Sequence, residues 1–307
     1  MADITLKQLR YFATAGELKS VTRAAQKLYV SQPSISAAIS HIEQMAGTPL
    51  FIRHHAQGLS LTHAGEAILE RTRALLADAN SLKQFTVSQG EDIAGPLHVS
   101  AFTTFAHILL PPLMKEFQAH YPQVQLRFDE NHQESIIRGL HHGKYEVAFG
   151  YDMNVPDDIS FVPLYEYPPY VVVRDDHPLA SRDEVTFAEL AEYDMIILDW
   201  PLSRDYFIGL FNAAGVRPTI AHHAISVGMA RELVSQGFGF TLFNIPLEHG
   251  SSGSHPSLHS IPLAEPARTL VIGILTLKDV QLPPAAEAMY QFAMDRAGMK
   301  PSNKVSR

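Results

Sequence analysis

Side chains that can read the edges of DNA bases stand together in the run SQPSISA, residues 31–37. The amide of Gln32 can donate and accept at once, which is the pairing that singles out adenine in the major groove. The hydroxyl of Ser36 can bond to base edges, and Pro33 or Ala37 can contact the methyl group of thymine. The chemistry predicted here is recognition of base pairs.

Two short helices with a tight break between them must position this run, over residues 20–43. Ser20 can cap the first helix, which stops at Tyr29. Ser31 can cap the second with its hydroxyl, and Pro33 falls in the first turn, where a missing N–H costs nothing. Isoleucines recur every three to four residues along the second helix, giving it one apolar face. The pattern predicts a helix-turn-helix with its second helix in a major groove, and the alternative is an ordinary helical hairpin.

Charge is distributed unevenly along the 307 residues, whose net charge is −8. Residues 1–90 hold nine Lys and Arg against six carboxylates, a net charge of +3, and the remainder holds 15 against 26, a net charge of −11. A basic head on an acidic body leaves DNA binding to the head. Few basic residues also predict few phosphate contacts, so one head alone should bind weakly.

Composition points to a cytoplasmic protein with packed cores. Hydrophobic residues make up 46% of the chain, and its length suggests two or three domains. It contains no cysteine, which excludes disulfides, thiolate metal sites and a cysteine redox switch. No run of about 18 apolar residues occurs, and MADITLKQ lacks the layout of a signal peptide, so no membrane association is expected.

Five motifs occur in a fixed order between residues 5 and 69: QLRYF, RAA-(x)2-L-(x)2-SQPS-(x)-S, an I-E pair, PLF-(x)-R and LSLT-(x)-AGE. In that order and spacing the segment resembles the N-terminal domain of LysR-type transcriptional regulators. The rest of the chain follows the same family. The resemblance implies an α+β multidomain fold: an all-α winged helix-turn-helix, a long dimerisation helix and a two-lobed α/β domain like the periplasmic binding proteins.

These features divide the chain into three predicted parts. The DNA-binding domain is placed at residues 1–61, the linker and dimerisation helix at 62–90, and the effector-binding domain at 91–307. Within the last, lobe I is expected at about 96–165 and 267–300, and lobe II at about 166–266.

The remainder of the head is predicted to be a scaffold helix and a wing. Thr5 and Gln8 form a capping-box pattern that opens a helix through about Ala15. Residues 50–52 read as a strand, and Gly58 turns the chain back to a second strand at 59–61. The wing tip between them should touch the DNA backbone or minor groove, the alternative being a solvated loop. The residues expected to contact DNA are Thr22, Arg23, Ser31, Gln32, Pro33, Ser34, Ser36, Ala37, Arg53 and Gln57.

The reading helix departs from the family pattern in its basic residues. Where the family often has Arg-Gln after the serine, and another basic residue further on, this chain has Ala37, Ala38 and Ser40. Gln57 replaces a wing residue that is commonly basic. Fewer contacts to the DNA backbone are therefore expected.

A long helix capped by Thr62 is predicted to run to about Ser88. Its apolar residues repeat at alternating spacings of four and three, which is typical of a helix that pairs with another helix. Twofold pairing of two such helices would present two reading helices to a pseudo-palindromic operator. The alternative is a long helix packed on its own body; the family resemblance implies a homotetramer, a dimer of dimers.

Beyond a linker at residues 90–96, strands and helices alternate in the rhythm of a parallel sheet covered by helices. The predicted strands are 97–100, 124–128, 146–150, 170–174, 195–199, 219–222, 238–243 and 269–277. The predicted helices are 105–120, 133–142, 187–192, 205–214, 227–236 and 284–297. Two lobes with a chain that crosses between them imply a cleft, and residues 250–259 are expected to be a loop.

Ligands of open α/β sheets lie beyond the carboxyl ends of the strands, where helix N-termini favour anions. The family resemblance places its effector pocket at the same positions, and simple capping or packing is the alternative for each residue. Arg204 could pair with a carboxylate or form a surface ion pair. The aromatic side chains favour a small carboxylate, perhaps an aromatic one. The residues expected to bind an effector are Phe102, Thr103, Thr104, Gln133, Tyr151, Trp200, Arg204 and Ser226.

Other functions are less well supported by the sequence. The histidine pairs at 54–55, 141–142 and 222–223 are sequence neighbours whose side chains point apart, so no metal site is expected. Nucleotide-binding, hydrolase and metalloprotease motifs are absent, so neither a cofactor nor enzymatic activity is expected. A cytosolic small-molecule-binding protein of the solute-binding class, without specific DNA regulation, is the alternative. In the preferred interpretation, a small-molecule effector changes DNA binding or bending, so that RNA polymerase is recruited or blocked.

Overall fold

Three helices and a two-stranded wing form the N-terminal unit. The helices are α1 (Leu6–Leu18), α2 (Val21–Leu28) and α3 (Gln32–Ala46), and β1 (Phe51–His54) pairs antiparallel with β2 (Gly58–Leu61) in the wing. The computed structural model describes residues 3–54, 58–87, 93–245 and 258–298. The elements follow the predicted order of a winged helix-turn-helix.

Capping side chains set the points at which these helices begin. Thr5 and Gln8 form the predicted capping box, and the hydroxyl of Ser20 accepts a hydrogen bond from the backbone N–H three residues later, at 3.2 Å. Ser31 occupies the N-cap position of α3, but the expectation that its hydroxyl caps the helix is wrong. Its Oγ lies 2.8 Å from Oγ of Ser34 and makes no capping hydrogen bond. The first N–H groups of α3 are therefore left without a side-chain cap.

The core of this unit holds the apolar face of α3 inward. Ile35, Ile39 and Ile42 are at most 2% exposed, and Phe12 of α1 is fully buried against them. The rings of Phe12 and Phe51 meet edge to face with centroids 5.4 Å apart, which ties α1 to the wing. The opposite face of α3 is thereby directed to solvent.

Helix α4 (His63–Val87) begins as predicted, with the Thr62 hydroxyl accepting from Gly65 N at 3.0 Å. Its first turns are part of the N-terminal core, since Leu69 and Thr72 are 5% and 3% exposed. The first half of the apolar seam predicted to pair with a partner helix therefore packs against the N-terminal unit. Leu75 is 48% exposed, whereas Leu76 still packs against that core.

Lobe I starts with the predicted alternation of strands and helices. Its first elements are β3 (Gly95–Phe102), α5 (Thr103–His120), β4 (Val124–Asn131), α6 (Gln133–His141), β5 (Val147–Tyr151) and β6 (Ile159–Tyr167). Strand β3 runs parallel to both β4 and β5, so the carboxyl ends of all three lie at one edge of the sheet.

Lobe II has two small sheets flanked by helices. Its elements are β7 (Tyr170–Arg174), α7 (Phe187–Leu190), β8 (Asp194–Leu198), α8 (Pro201–Ala213), β9 (Thr219–Ala224), α9 (Val227–Ser235), β10 (Thr241–Phe243) and β11 (Leu258–Pro262). Strands β8 and β9 are parallel, and β10 and β11 flank β7 in antiparallel orientation. The chain then returns to lobe I as β12 (Leu270–Leu277) and α10 (Pro284–Arg296), as predicted.

Three features of the body differ from the sequence-based expectations. The lobe I sheet, in the order β4-β3-β5-β12-β6, is mixed rather than parallel, because β12 pairs antiparallel with both β5 and β6. Strands β6 and β11 were not predicted. Of the expected loop at 250–259, residues 250–257 lie outside the described residues, and Leu258 and His259 belong to β11. No helix in the described ranges is long and apolar enough to cross a membrane.

Candidate DNA interface and effector cleft

The predicted base-reading residues share one surface at the N-terminal end of α3. Gln32, Pro33, Ser34 and Ala37 are exposed, and Ser36 is half-buried. Thr22 and Arg23 are exposed on the neighbouring α2. The uncapped start of α3 adds backbone N–H groups that favour a phosphate oxygen. This surface can offer amide, hydroxyl and apolar contacts to a major groove.

Tyr29, which the sequence pattern does not mark as a DNA contact, lines the groove between α2 and α3 together with Thr22, Gln26 and Gln32. Its side chain is 95% exposed, and its backbone has φ 54°, a conformation that an aromatic residue rarely adopts. The sequence indicates only that the first helix ends at this residue. An exposed aromatic ring beside Gln32 is therefore a feature of the reading surface that spacing alone did not reveal.

Three predicted contacts are less available to DNA or fall partly or wholly outside the described residues. The guanidinium of Arg23 donates to the carbonyl oxygen of Leu18 and is thereby held against the end of α1. The backbone of Arg53 pairs with Leu59 in the wing, and its side chain is not described. Gln57 lies outside the described residues.

Glu43 has a positioning role that the I-E motif did not by itself predict. Its carboxylate accepts hydrogen bonds from the backbone N–H groups of Leu50, at 2.8 Å, and Phe51, at 3.2 Å. The last turns of α3 therefore fix the first strand of the wing. At the other side of α3, His41 Nδ1 lies 3.0 Å from Gln8 Nε2 of α1. The reading helix is thus held by polar contacts to both of its supports.

A cavity of about 360 Å³ opens between the two lobes of the body. Lobe I contributes the first turn of α5 and the end of β4, and lobe II contributes the end of β8 and the first turns of α9. Two helix N-termini therefore border one cavity, which favours a negatively charged group. The lining residues are Thr103, Thr104, His107, Glu130, Leu198, Trp200, Ser226, Val227, Gly228 and Arg231.

Four of the predicted effector residues lie on this wall: Thr103, Thr104, Trp200 and Ser226. Ser226 also caps α9, since its hydroxyl accepts from Met229 N at 3.1 Å. His107, Glu130 and Arg231 line the cavity but were not predicted. His107 and Arg231 lie more than one turn inside α5 and α9, and Glu130 lies one residue before the end of β4.

Three other predicted residues are buried and have structural partners. Phe102 is fully buried, and its ring centroid is 5.2 Å from that of Tyr151. Tyr151 Oη lies 3.2 Å from the Thr104 hydroxyl and 3.4 Å from Asn244 Oδ1, and burial raises the pKa of Tyr151 to about 12. Gln133 Nε2 donates to the carbonyl oxygen of Tyr151 at 2.8 Å. The contact between Tyr151 and Asn244 joins the two lobes, and the other contacts lie within lobe I.

A ring stack and an ion pair lie beside the cavity. Trp200 of lobe II stacks on His132 of lobe I, with ring centroids 4.2 Å apart and planes at 29°. Arg204 Nη1 donates to Asp199 Oδ1 at 3.0 Å, so its guanidinium is already engaged by a carboxylate, as the ion-pair alternative expected. The stack spans the lobes, and its geometry must change if they move apart.

Family models match both parts of this architecture. Residues 6–66 match the bacterial regulatory helix-turn-helix protein, lysR family, and residues 90–298 match the LysR substrate binding domain. The chain belongs to the LysR family. Members of this family are transcriptional regulators that bind DNA and small-molecule effectors, and they are not enzymes.

Individual LysR-family proteins are similar over most of the chain. HinK, a LysR family transcriptional regulator from Pseudomonas aeruginosa, is 32% identical, with 96% of this chain and 99% of that chain covered and a TM-score of 0.63. The hydrogen peroxide-inducible genes activator of Pectobacterium carotovorum is 28% identical over 81% of this chain and 84% of its own. A full-length OxyR variant from Pseudomonas aeruginosa, 22% identical with 96% of each chain covered and a TM-score of 0.78, shows the same fold.

At the β4 edge of the lobe I sheet, this LysR-family chain has a polar cluster around Asp129. Lys144 Nζ lies 2.6 Å from Asp129 Oδ2, Tyr145 Oη donates to the same oxygen at 2.6 Å, and His98 Nε2 is 3.3 Å away. Burial alone would raise the pKa of Asp129. The hydrogen bonds from Lys144 and Tyr145 and the charges of Lys144 and His98 outweigh it and hold the pKa at about 2. Asp129 is therefore an ionised anchor for this cluster.

Glu146, next to the same cluster, should make the protein less stable as the pH rises. Burial raises its pKa to about 7 from 4.5, against hydrogen bonds from the backbone of Glu146 and His98 that lower it, and no described residue satisfies Oε2. The folded state then holds the proton more tightly than the unfolded state, so stability falls between pH 4.5 and 7. Glu146→Gln should gain roughly 2 kcal/mol over the natural protein at pH 8 and little at pH 5.

Urea denaturation of both proteins at pH 5 and pH 8 measures this difference. Glu134→Gln replaces an exposed carboxyl in the same lobe and serves as the control. A stability difference for Glu146→Gln that is equal at the two pH values would show that Glu146 does not carry the pH dependence.

Proposed function

We propose that this LysR-family protein regulates transcription in response to a small organic acid that binds in the cavity between the lobes. The observation that supports this proposal is that the N-termini of α5 and α9 lie on the wall of one interlobe cavity. Trp200 lies on the same wall. The residues proposed to contact the effector are those of the predicted set on that wall, namely Thr103, Thr104, Trp200 and Ser226.

A carboxylate is the group best suited to this wall. Phe102 at the N-cap of α5 provides no side-chain hydrogen bond, so the first N–H groups of that helix are available to a ligand oxygen. Arg231 on α9 adds positive charge to the same cavity. Glu130, on the lobe I side, would repel a second anionic group placed near it. The apolar part of the effector would then lie against the Trp200 ring.

The proposed mechanism is a shift between two arrangements of the lobes. An effector that contacts both lobes favours the arrangement in which both sets of contacts form, and it changes nothing if it binds both arrangements equally. The resulting movement is proposed to alter how paired DNA-binding units sit on a pseudo-palindromic operator, and so whether RNA polymerase is recruited or blocked. The cytoplasm, where the DNA lies, is the proposed compartment.

A dimer of dimers is proposed as the working assembly. Leu75 on α4 is 48% exposed, and in the sequence the apolar seam continues beyond it with Ala79 and Leu82. Pairing these seams by a twofold axis would bring two reading surfaces onto one DNA duplex. Two surfaces would also offset the few phosphate contacts of each.

Thiol oxidation is not a proposed signal, although some relatives are named as hydrogen peroxide-inducible activators. A peroxide signal read through sulfenic acid or a disulfide needs a cysteine. The 307 residues contain none. The inducing compound of those relatives is therefore not transferred to this chain.

The effector proposal is tested by thermal shift against a panel of small organic acids and amines, followed by fluorescence titration of Trp200, the one tryptophan of the sequence. A saturable rise in melting temperature with an acid, accompanied by a matching change in Trp200 fluorescence, is expected. Stabilisation by amines alone would overturn the organic-acid assignment. Stabilisation without a Trp200 change would overturn the site.

Val227→Pro removes one backbone donor from the cavity while keeping the helix. Val227 is the first residue of α9, where proline is tolerated, and Ser226 before it has φ −146° and ψ 150°, which proline also permits. We expect about tenfold weaker acid binding, near 1.4 kcal/mol, without loss of folding. Val227→Ala trims the side chain but retains the N–H and should bind almost normally. Equal weakening by both variants would mean that the helix N-terminus is not the anion contact.

A further inference from the structure

A second and larger cavity, of about 630 Å³, lies between the N-terminal unit and lobe I. Helices α1 and α4 form one wall, and α6 with the turn that follows it forms the other. The cavity shares no lining residue with the effector cleft, because its lobe I wall is formed mainly by α6 and the turn after it rather than by the start of α5. Its volume is within the range of small-molecule sites.

Each carboxylate at or beside this cavity lies close to a nitrogen-bearing side chain. Glu17 Oε1 lies 3.2 Å from Arg73 Nε within the N-terminal unit. Glu70 Oε1 lies 2.9 Å from His142 Nε2, an approach across the two walls that lacks the alignment of a hydrogen bond.

The third carboxylate is Asp129, which borders the cavity through its 2.6 Å contact with Lys144. None of these three acidic groups lies within ion-pair distance of Arg10 or Arg138. The cations that remain must therefore be matched by solvent ions or by a ligand.

Two guanidinium groups that line the cavity remain without such a partner among the described residues: Arg10 of α1 and Arg138 of α6. One belongs to each wall. An arginine fork binds a carboxylate or phosphoryl group through two parallel hydrogen bonds, and it does so more specifically than a lysine. The charge pattern therefore fits a ligand with anionic groups at two ends.

We propose that this cavity binds a small molecule carrying two or more negative charges, with one anionic group on Arg10 and another on Arg138. On α6, the half-buried Ser135 supplies a hydroxyl beside Arg138. On the opposite wall, formed by α1, the buried Thr14 lies beside Arg10. Ala13 and Leu76 add an apolar side that accommodates a short carbon chain. Tricarboxylates and diphosphates share the required chemistry.

Such a ligand would act on the DNA-binding unit directly. Because it would contact α1 and α6 together, its binding would hold the N-terminal unit against lobe I, and it would favour whichever arrangement on DNA allows that contact. By linkage, DNA that favours the same arrangement would tighten anion binding by the same factor. The cavity would thereby provide a second input, independent of the cleft between the lobes.

The test is calorimetric titration of the full-length protein with citrate and with inorganic pyrophosphate, each at fixed ionic strength, with acetate as the singly charged comparison. Saturable binding of at least one of the two polyanions is expected, and acetate should bind far more weakly. Arg10→Ala and Arg138→Ala should each weaken that binding about tenfold or more. Arg127→Ala removes an exposed arginine of β4 outside the cavity and should leave it unchanged.

Hydrogen exchange distinguishes a bridging ligand from diffuse attraction. Citrate or pyrophosphate should increase amide protection in both α1 and α6 of the natural protein, and neither single-arginine variant should show the joint increase.

Absence of saturable binding by both polyanions would overturn the proposal, as would equal binding by Arg10→Ala, Arg138→Ala and Arg127→Ala. If Arg10→Ala lowers DNA affinity and its salt dependence while no polyanion binds, the arginine serves a DNA phosphate instead. Val227→Pro should leave this binding intact, which separates it from the effector cleft.

Discussion

Replacing Gly65 by alanine should unfold the DNA-binding unit while leaving the two lobes folded. A Cβ at Gly65 would lie 2.0 Å from the carbonyl oxygen of Leu50, far inside van der Waals contact. That carbonyl cannot retreat freely, because it accepts the N–H of Thr62 at 3.0 Å and the N–H of the same Leu50 is held by Glu43. Relieving the clash must separate α4 from the start of the wing.

Two opposing effects decide the size of this change. Alanine is favoured over glycine inside a helix by roughly 0.5–1 kcal/mol. Forcing a backbone shift in a packed core typically costs 1–3 kcal/mol and at times more, and here it also breaks hydrogen bonds that cap α4 and orient the wing. We therefore expect a net loss of about 3 kcal/mol or more, with DNA binding lost as the wing and reading helix separate.

Gly209→Ala provides the matched comparison. Gly209 also lies within a helix, α8, but a Cβ there would meet no heavy atom within 4 Å. It should gain stability by roughly 0.5–1 kcal/mol. Hydrogen exchange resolved by peptide should show lost protection in α1–α3 for Gly65→Ala and none for Gly209→Ala. A Gly65→Ala protein with normal protection in α1–α3 would mean that this close approach is not required.

The helices of the N-terminal unit could be predicted from the sequence because each depends on residues that are close together in the chain. The capping box at Thr5, the cap at Ser20 and the isoleucine spacing of α3 each act within a few residues, and the structure contains the corresponding elements. The failed cap at Ser31 has a different origin. A second serine three residues along competes for the same hydroxyl, and residue type alone does not decide between the two partners.

The missed strands of the body lack a clear local pattern. Strand β6 contains Pro163 in the middle of ISFVPLYEY, and β11 is the short run LHSIP with Pro262 at its end. Proline removes a ladder hydrogen bond, so such runs look unlike central strands, yet both are edge strands of their sheets, where proline is tolerated. The antiparallel direction of β12 depends on how the chain returns from lobe II. Alternation of elements carries no information about that return.

The sequence could not predict which residues of the effector site face the cavity and which are buried behind its wall. The rule about strand ends located the right turns, so Thr103, Trp200 and Ser226 lie on the cavity. Tyr151 and Gln133 satisfy the same rule but lie behind the wall, with their polar atoms bonded to neighbours. Arg231 lies more than one helical turn into α9, beyond the reach of a rule based on strand ends. Which side chains face the cavity is set by packing between the lobes.

Gln32→Ala should remove most of the sequence preference of DNA binding while leaving its electrostatic component intact. Gln32 is the first residue of α3 and is exposed at the end that would enter the groove. Loss of a bidentate contact to a base costs roughly 1–3 kcal/mol per half-site, or about 2–6 kcal/mol for a pair of units on a palindrome. Because α3 has no lysine or arginine to replace that contact, little compensation is expected.

Fluorescence anisotropy with an operator selected from random duplexes by the natural protein measures this loss. The dependence of affinity on salt should keep its slope, since no phosphate contact is removed, whereas discrimination at one base pair of each half-site should disappear. Gln44→Ala changes an exposed glutamine near the opposite end of the same helix and should alter neither quantity. Unchanged affinity and footprint for Gln32→Ala would assign base reading to other residues of this surface. A reduced salt slope would instead make Gln32 a contact to the DNA backbone, because only phosphate contacts release counterions.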